Sequence, residues 1–255
     1  DVEDDLDRPA GDAEPGDALC GGFLSWRTAE RLQRLALDLE ALGAHPLERL
    51  LLFGHGRPVE VALPKRAFGL SRKTLDSALR HGAVAAGAAL AIDTIRQIDG
   101  LRVTGRTRAW QAEGVFLATG KHDLRGTARP RSASDPALGL RLRLEPSPGL
   151  AARLANTIEL HFFAGGYAGI VRQEDGSANL CLAVRKSLIG HAGANPTQLL
   201  AALAASHPHF ALRLETGWRE ARVDTIGSVP YGWSARATEP GVFRLGDQAA
   251  VIPSL

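Results

Sequence analysis

Four closely spaced segments limit the fold more than any other feature: LGLRLRLE (138–145), TIELHFF (157–163), YAGIVRQ (167–173) and ANLCLAV (178–184). The first alternates apolar and polar side chains, the period of a half-buried strand. The others follow at short intervals, and Asp175-Gly176 supplies a hairpin-type turn between the last two. The last three predict an antiparallel meander, a sheet that needs a covering layer on at least one face. Further on, NPTQLLAALAAS (195–206) predicts a helix, with Asn195 capping and Pro196 at the first position.

Upstream of this region, helices alternate with strands. Leu32, Leu35, Ala36, Leu39 and Leu42 fall on one face of a helix predicted over 28–42, which Gly43 ends. Strands are predicted at 49–53 and 59–63. Ser71 caps a helix over 72–86 that buries Leu75, Ala78, Leu79 and Ala86. Short strand-like pieces follow around 89–97, 100–104 and 106–111. The continuous apolar run in GVFLATG (114–120) predicts a strand buried on both faces. The segment TARPRSASDPA (127–137) reads as a connector and a domain crossover. The final stretch, 241–255, predicts an apolar strand leading into Gly246-Asp247 and a helix start. The fold class is therefore α/β, α+β overall.

The 255 residues suffice for one large domain or two intimately joined ones. No apolar run approaches the ~20 residues of a membrane span. Residues 1–18 are acidic and lack a hydrophobic segment, so they predict a disordered leader and no signal peptide. Cys20 and Cys181 lie far apart in sequence and predict reduced thiols, in keeping with a cytoplasmic protein. Arginines are scattered rather than blocked, and only 5% of residues are aromatic, which argues against a nucleic-acid partner. Anionic groups on a cofactor or substrate explain the arginines more simply.

Several motifs fail on inspection. GVFLATGKH separates its glycines by five residues where a phosphate loop requires four, and His122 replaces the hydroxyl that would hold magnesium. The histidines of HPHF (207–210) lack an acidic or cysteine partner at metal-ligand spacing. No G-x-S-x-G elbow is present, and no G-x-G-x-x-G follows a strand.

Four other stretches carry more. Cys20, Gly21 and Gly22 precede a helix, where glycine permits close approach to the backbone. Arg72 stands in the first turn of a helix, a position where a cation calls for a compensating anion. Thr119-Gly120 ends a strand, the place where open α/β sheets bind ligands. Gly246-Asp247 ends another, and would aim a carboxylate and backbone amides at one spot.

In that order, CGG, SRxxLDxxL, ATG and GDxAA…P, the chain resembles FAD-dependent oxidoreductases of the geranylgeranyl reductase and para-hydroxybenzoate hydroxylase-like type. The matching residues are Cys20-Gly21-Gly22, Ser71-Arg72 with Leu75-Asp76, Ala118-Thr119-Gly120, and Gly246-Asp247 with Ala249, Ala250 and Pro253. The resemblance spans about 19–255. It implies an incomplete FAD-binding three-layer α/β domain interleaved with an antiparallel-sheet substrate domain. The FAD-binding part would take 19–126 and 239–255, with strands 49–63 able to join the substrate sheet, and the substrate domain would take 127–238. By the same resemblance, Gly21, Gly22, Arg72, Gly120, Gly246, Asp247 and Pro253 would bind FAD. Arg72 would approach the pyrophosphate and Asp247 the ribityl hydroxyls. Tyr167 and Cys20 would stand nearest the reaction, a hydroxylation or reduction of a small hydrophobic phenolic, polyketide-like or isoprenoid substrate with NAD(P)H as reductant.

The chain departs from the pattern in several respects, among them the lack of a Lys often found shortly before the family's cysteine. Gly169 and Arg172 replace the Trp and Pro expected after Tyr167, and the N-terminal βαβ fingerprint that holds the ADP half of FAD is missing. Charge-assisted contacts of that kind contribute on the order of 1.5–3 kcal/mol each, so losing them weakens binding by powers of ten. The sequence is thus expected to be a fragment of a longer flavoprotein, or a product that binds FAD poorly. The alternative function is a flavin-poor, non-catalytic binding module.

Overall fold

A computed structural model describes residues 16–251, apart from 126, 131, 132, 216 and 228. In chain order the elements are β1 (Phe23–Leu24), α1 (Trp26–Arg34), β2 (His45–Phe53), β3 (Val59–Gly69), α2 (Arg72–Ala85), β4 (Ile95–Asp99), β5 (Arg102–Gly105), β6 (Ala109–Gln111) and β7 (Val115–Leu117). There follow β8 (Ala137–Leu144), α3 (Pro148–Arg153), β9 (Thr157–Phe163), β10 (Gly166–Arg172), β11 (Ala178–Arg185), α4 (Lys186–His191), α5 (Pro196–Ser206), α6 (Pro208–Leu214), β12 (Val223–Ile226) and β13 (Val242–Arg244). They form two compact units. The larger takes residues 16–88 and 138–227, the smaller 89–137 and 229–251. No helix among the described residues is long and apolar enough to cross a membrane.

The larger unit is built on one eight-stranded sheet, in the order β1-β3-β2-β9-β10-β11-β8-β12. The predicted meander is its centre: β9, β10 and β11 pair antiparallel, and Gly176 takes φ +82° in the connecting turn. β2 joins β9 in parallel and carries β3 and β1 with it. Alternation decides what each face does. Leu140, Leu142 and Leu144 of β8, Ala168 and Ile170 of β10, and Leu180, Leu182 and Val184 of β11 pack against α3 to α6. Helix α5 begins as predicted, with the Asn195 side chain accepting from the amides of Thr197 and Gln198.

Helix α1 is shorter than its apolar periodicity predicts. Ala36 takes φ +58°, and the Asp38 side chain accepts from the amides of Glu40 and Ala41 in a turn that competes with helix. Leu35, expected to be buried, is 65% exposed, while Leu32 and Leu39 still reach the cluster formed with Leu24, Phe68, Leu70 and Leu75. Helix α2 starts at Ser71 as predicted, but its last turns are exposed, Ala86 included.

The smaller unit holds a three-stranded antiparallel sheet, β4-β5-β6, and the parallel pair β7-β13. Ile98, Val115 and Leu117 form its core. The expectation of a strand buried on both faces at 114–120 fails. Phe116 is 67% exposed and stacks on Phe243, their ring centroids 5.0 Å apart. With one neighbouring strand among the described residues and one packed face, a continuous apolar run still leaves alternate side chains outside.

Candidate functional site

The loop of Cys20, Gly21 and Gly22 lies on the sheet of the larger unit. The Cys20 carbonyl accepts from Asn179 Nδ2 at 2.7 Å and from Cys181 Sγ at 3.1 Å, both from β11. The two cysteines, distant in sequence, are therefore neighbours, and neither is in a disulfide. Gly22 takes φ +77°, and a Cβ there would meet Gln173 Nε2 at 2.5 Å and the Leu70 carbonyl at 3.1 Å. Its close approach is to the protein's own sheet. Gly21 is different, because nothing lies within 4 Å of where its Cβ would stand. Of the two glycines, it is Gly21 that leaves room for another group.

Tyr167 shares this face. In register, Cys181 lies opposite Gly169, Tyr167 opposite Ala183, and Tyr167 also opposite Phe162. Side chains of directly opposed residues share a side of a sheet. Cys181, Tyr167, Phe162 and Leu160 thus line the side away from the helices, with the Cys20 loop fixed at its edge. Gly169 keeps the centre of this face low, and a Cβ there would touch Leu160 at 3.4 Å. The structure brings Cys20 and Tyr167 to one apolar surface.

Arg72 is held by Asp76 one turn along α2, with Nη2 2.6 Å from Oδ1. The anion expected at this helix N-terminus is present and belongs to the chain. Glu174, in the β10-β11 turn, accepts from the Ser71 amide at 2.9 Å and from the Ser71 and Thr74 hydroxyls. Burial alone would raise the Glu174 pKa, but these hydrogen bonds bring it below its ordinary value.

The remaining predicted residues come together in the smaller unit. β7 and β13 run parallel, and the segments after their carboxyl ends are tied to each other. Gln248 is fully buried and donates through Nε2 to the carbonyls of Gly120 (2.9 Å) and His122 (2.8 Å). Arg129, also buried, donates Nε to Asp123 (2.6 Å), Nη2 to the Lys121 carbonyl (2.7 Å) and Nη1 to the Asp247 carbonyl (2.8 Å). Lys121 Nζ lies 3.5 Å from the Asp247 carboxylate. Gly120 and Gly246 both have positive φ, 60° and 54°, and open space where a side chain would stand. The expected helix start at Gly246-Asp247 is one 3-10 turn, Gly246–Gln248. Pro253 lies outside the described residues.

Sequence reasoning missed Glu174, Asn179, Arg129 and Gln248. Gln248 directly follows Gly246-Asp247 and was within reach of the motif. Arg129 is one arginine in a connector rich in them, and nothing local marks it.

No protein-family model and no curated protein matches the chain. Solved structures do. Peptidyl tryptophan dihydroxylase QhpG, essential for tryptophylquinone cofactor biogenesis, aligns with a TM-score of 0.68 at 20% identity, over 90% of this chain and 52% of its own. A flavoprotein/dehydrogenase from Cytophaga hutchinsonii aligns with a TM-score of 0.71 at 14% identity, over 92% and 64%. A geranylgeranyl bacteriochlorophyll reductase-like protein from Thermoplasma acidophilum aligns with a TM-score of 0.60 at 18% identity, over 90% and 61%. The chain thus spans between 52% and 64% of the length of these three. At such identities the likeness establishes the fold, a partial flavoprotein fold of mixed α/β class.

Proposed function

We propose that the chain serves an FAD-dependent oxidoreductase, a monooxygenase or reductase, acting on a small hydrophobic substrate of phenolic, polyketide-like or isoprenoid class. NAD(P)H would be the reductant and the cytoplasm the setting. FAD-binding residues would fall in 19–126 and 239–255, and substrate contacts in 127–238. When bound, FAD supplies the redox chemistry, and the protein supplies orientation and a dry surface.

The observation that carries this reading is the pairing of β7 with β13, their carboxyl ends locked by Gln248 and Arg129. Ligands of open parallel sheets bind at such ends. The residues present fit a flavin nucleotide there: two glycines with open space, and a carboxylate, Asp247, able to accept from ribityl hydroxyls. Arg129 holds the Asp247 backbone in place, and Lys121 orients its carboxylate. In the larger unit, taken by itself, Gly21 has open space beside it, and Tyr167 and Cys20 border an apolar face suited to the substrate. Arg72 fits the pyrophosphate role less well, because Asp76 already neutralises it and Glu174 fills the helix N-terminus.

That last observation favours the second reading, a flavin-poor, non-catalytic binding module. Equilibrium dialysis against FAD separates the two. The first reading expects saturable binding that Asp247→Asn weakens about tenfold, the equivalent of roughly 1.4 kcal/mol. Binding that is absent, or indifferent to Asp247→Asn, would favour the module.

A further inference from the structure

Strand β9 also carries a buried charged cluster that the flavin reading leaves unused. Glu159 is fully buried and receives two bonds from Arg213 of α6, Nε to Oε2 at 2.8 Å and Nη2 to Oε1 at 2.7 Å. His161 Nε2 lies 3.0 Å from the same Oε2. Burial alone would raise the Glu159 pKa, but the His161 and Arg213 hydrogen bonds and the guanidinium charge hold it below its ordinary value. The carboxylate is therefore acceptor-only, and Nε2 of His161 carries the proton. Burial keeps the ring neutral by lowering its pKa against the pull of Glu159. Nδ1 is left as a lone pair, and no described residue bonds it.

The imidazole is fixed on its other sides. Phe53 stacks on it at 4.4 Å and 7°, and Phe210 meets it edge-on at 5.6 Å. The ring borders a cavity of about 460 Å³, within the size range of small-molecule sites. His207 borders it too, with Nδ1 3.0 Å from both the Leu203 carbonyl and the Ser206 hydroxyl. Aromatic side chains make much of the wall, and Nδ1 of His161 is a fixed acceptor within it. Such a site selects an aromatic ligand that carries a donor.

We propose that this cavity binds a small phenolic ligand, its ring against Phe53 and Phe210 and its hydroxyl donating to Nδ1 of His161. The acceptor nitrogen belongs to the opposite side of the sheet from Tyr167, although Phe162 of the Tyr167 face also borders the cavity. His161 lies opposite Ala168, which belongs to the helix-covered side, whereas Tyr167 lies on the other. The proposal does not depend on flavin.

Phenol and anisole are the probes, alike in ring and differing in the donor. They are titrated into the 255-residue chain while the histidine Cε1–H resonances are followed by NMR, with His161 assigned from the His161→Phe spectrum. Phenol should move the His161 resonance saturably and bind about tenfold tighter than anisole. His161→Phe leaves the Glu159-Arg213 pair intact and should abolish that preference. Ala164→Trp at the exposed rim should block both probes without touching the charged cluster, and it carries the test if His161→Phe fails to fold. Equal affinity for the two probes, an unmoved His161, or undiminished binding in Ala164→Trp would overturn the proposal.

Discussion

The carboxylate of Glu174 sits 2.9 Å from the backbone nitrogen of Ser71, at the start of α2, and links the β10-β11 turn to a helix from the other half of the same unit. It meets three donors there: the Ser71 amide and the hydroxyls of Ser71 and Thr74. This is the electrostatic role that an anionic ligand was expected to fill. Glu174→Ala should therefore destabilise the chain by about 1–3 kcal/mol, since buried donors lose their acceptor. Glu174→Gln should lose less. Chemical denaturation midpoints for both variants check the order, and a neutral Glu174→Ala would refute the anchoring role.

The glycines of the opening loop should behave differently from each other. Gly22→Ala introduces a Cβ 2.5 Å from Gln173 Nε2 at φ +77°, and strain of this kind costs on the order of 1–3 kcal/mol. Gly21→Ala meets open space and should leave stability within about 0.5 kcal/mol. If Gly21 borders the flavin, that same variant lowers FAD affinity. Paired thermal melts and FAD titrations distinguish the two positions, and equal melting shifts would contradict the assignment.

Arg129 should be the most sensitive position of the smaller unit. Its side chain is buried and holds Asp123 and two carbonyls, those of Lys121 and Asp247. Arg129→Met breaks a buried ion pair from one side, a change that costs about 3–5 kcal/mol. Arg129→Lys should rescue little, because an ammonium cannot reproduce the planar fork. Hydrogen exchange would show the loss at 115–124 and 242–251 first. Uniform exchange across the chain would mean that Arg129 has no local anchoring role.

Much of this was legible in sequence, and the exceptions share a cause. Strand β9 and helix α5 are local objects, marked by alternation, by Asn195 and by Pro196, and both stand where they were expected. The overlong α1 followed an apolar period that continues through Ala36, whose left-handed conformation no composition signals. Helices α3, α4 and α6 and strands β1 and β12 were not anticipated: α4 has no side-chain cap, and α6 begins inside HPHF. The pairings of Ser71 with Glu174 and of Cys20 with Asn179 join residues 103 and 159 positions apart, beyond any local pattern.

Acid should weaken the fold in two stages. Glu159 and Glu174 both titrate below the ordinary 4.5. Below pH 4.5 the unfolded chain binds more protons at these groups, so the stability they add is complete above that pH and is lost as pH falls through their folded values. Burial likewise lowers His45 and His161 below 6.5, and their loss begins as pH drops beneath it. The unfolding midpoint should decline gently below pH 6.5 and steeply below 4.5. A flat profile through both ranges would rule out these buried groups as the acid-sensitive elements.

The central claim is that the chain binds flavin at the strand ends of its smaller unit. Gel filtration of the 255-residue chain in buffer containing FAD, monitored in the visible flavin band, tests it most directly because weak binding is retained throughout the run. A flavin peak that travels with the protein, reduced for Asp247→Asn, is the predicted result. A protein peak carrying no flavin while the column is saturated with FAD would contradict it.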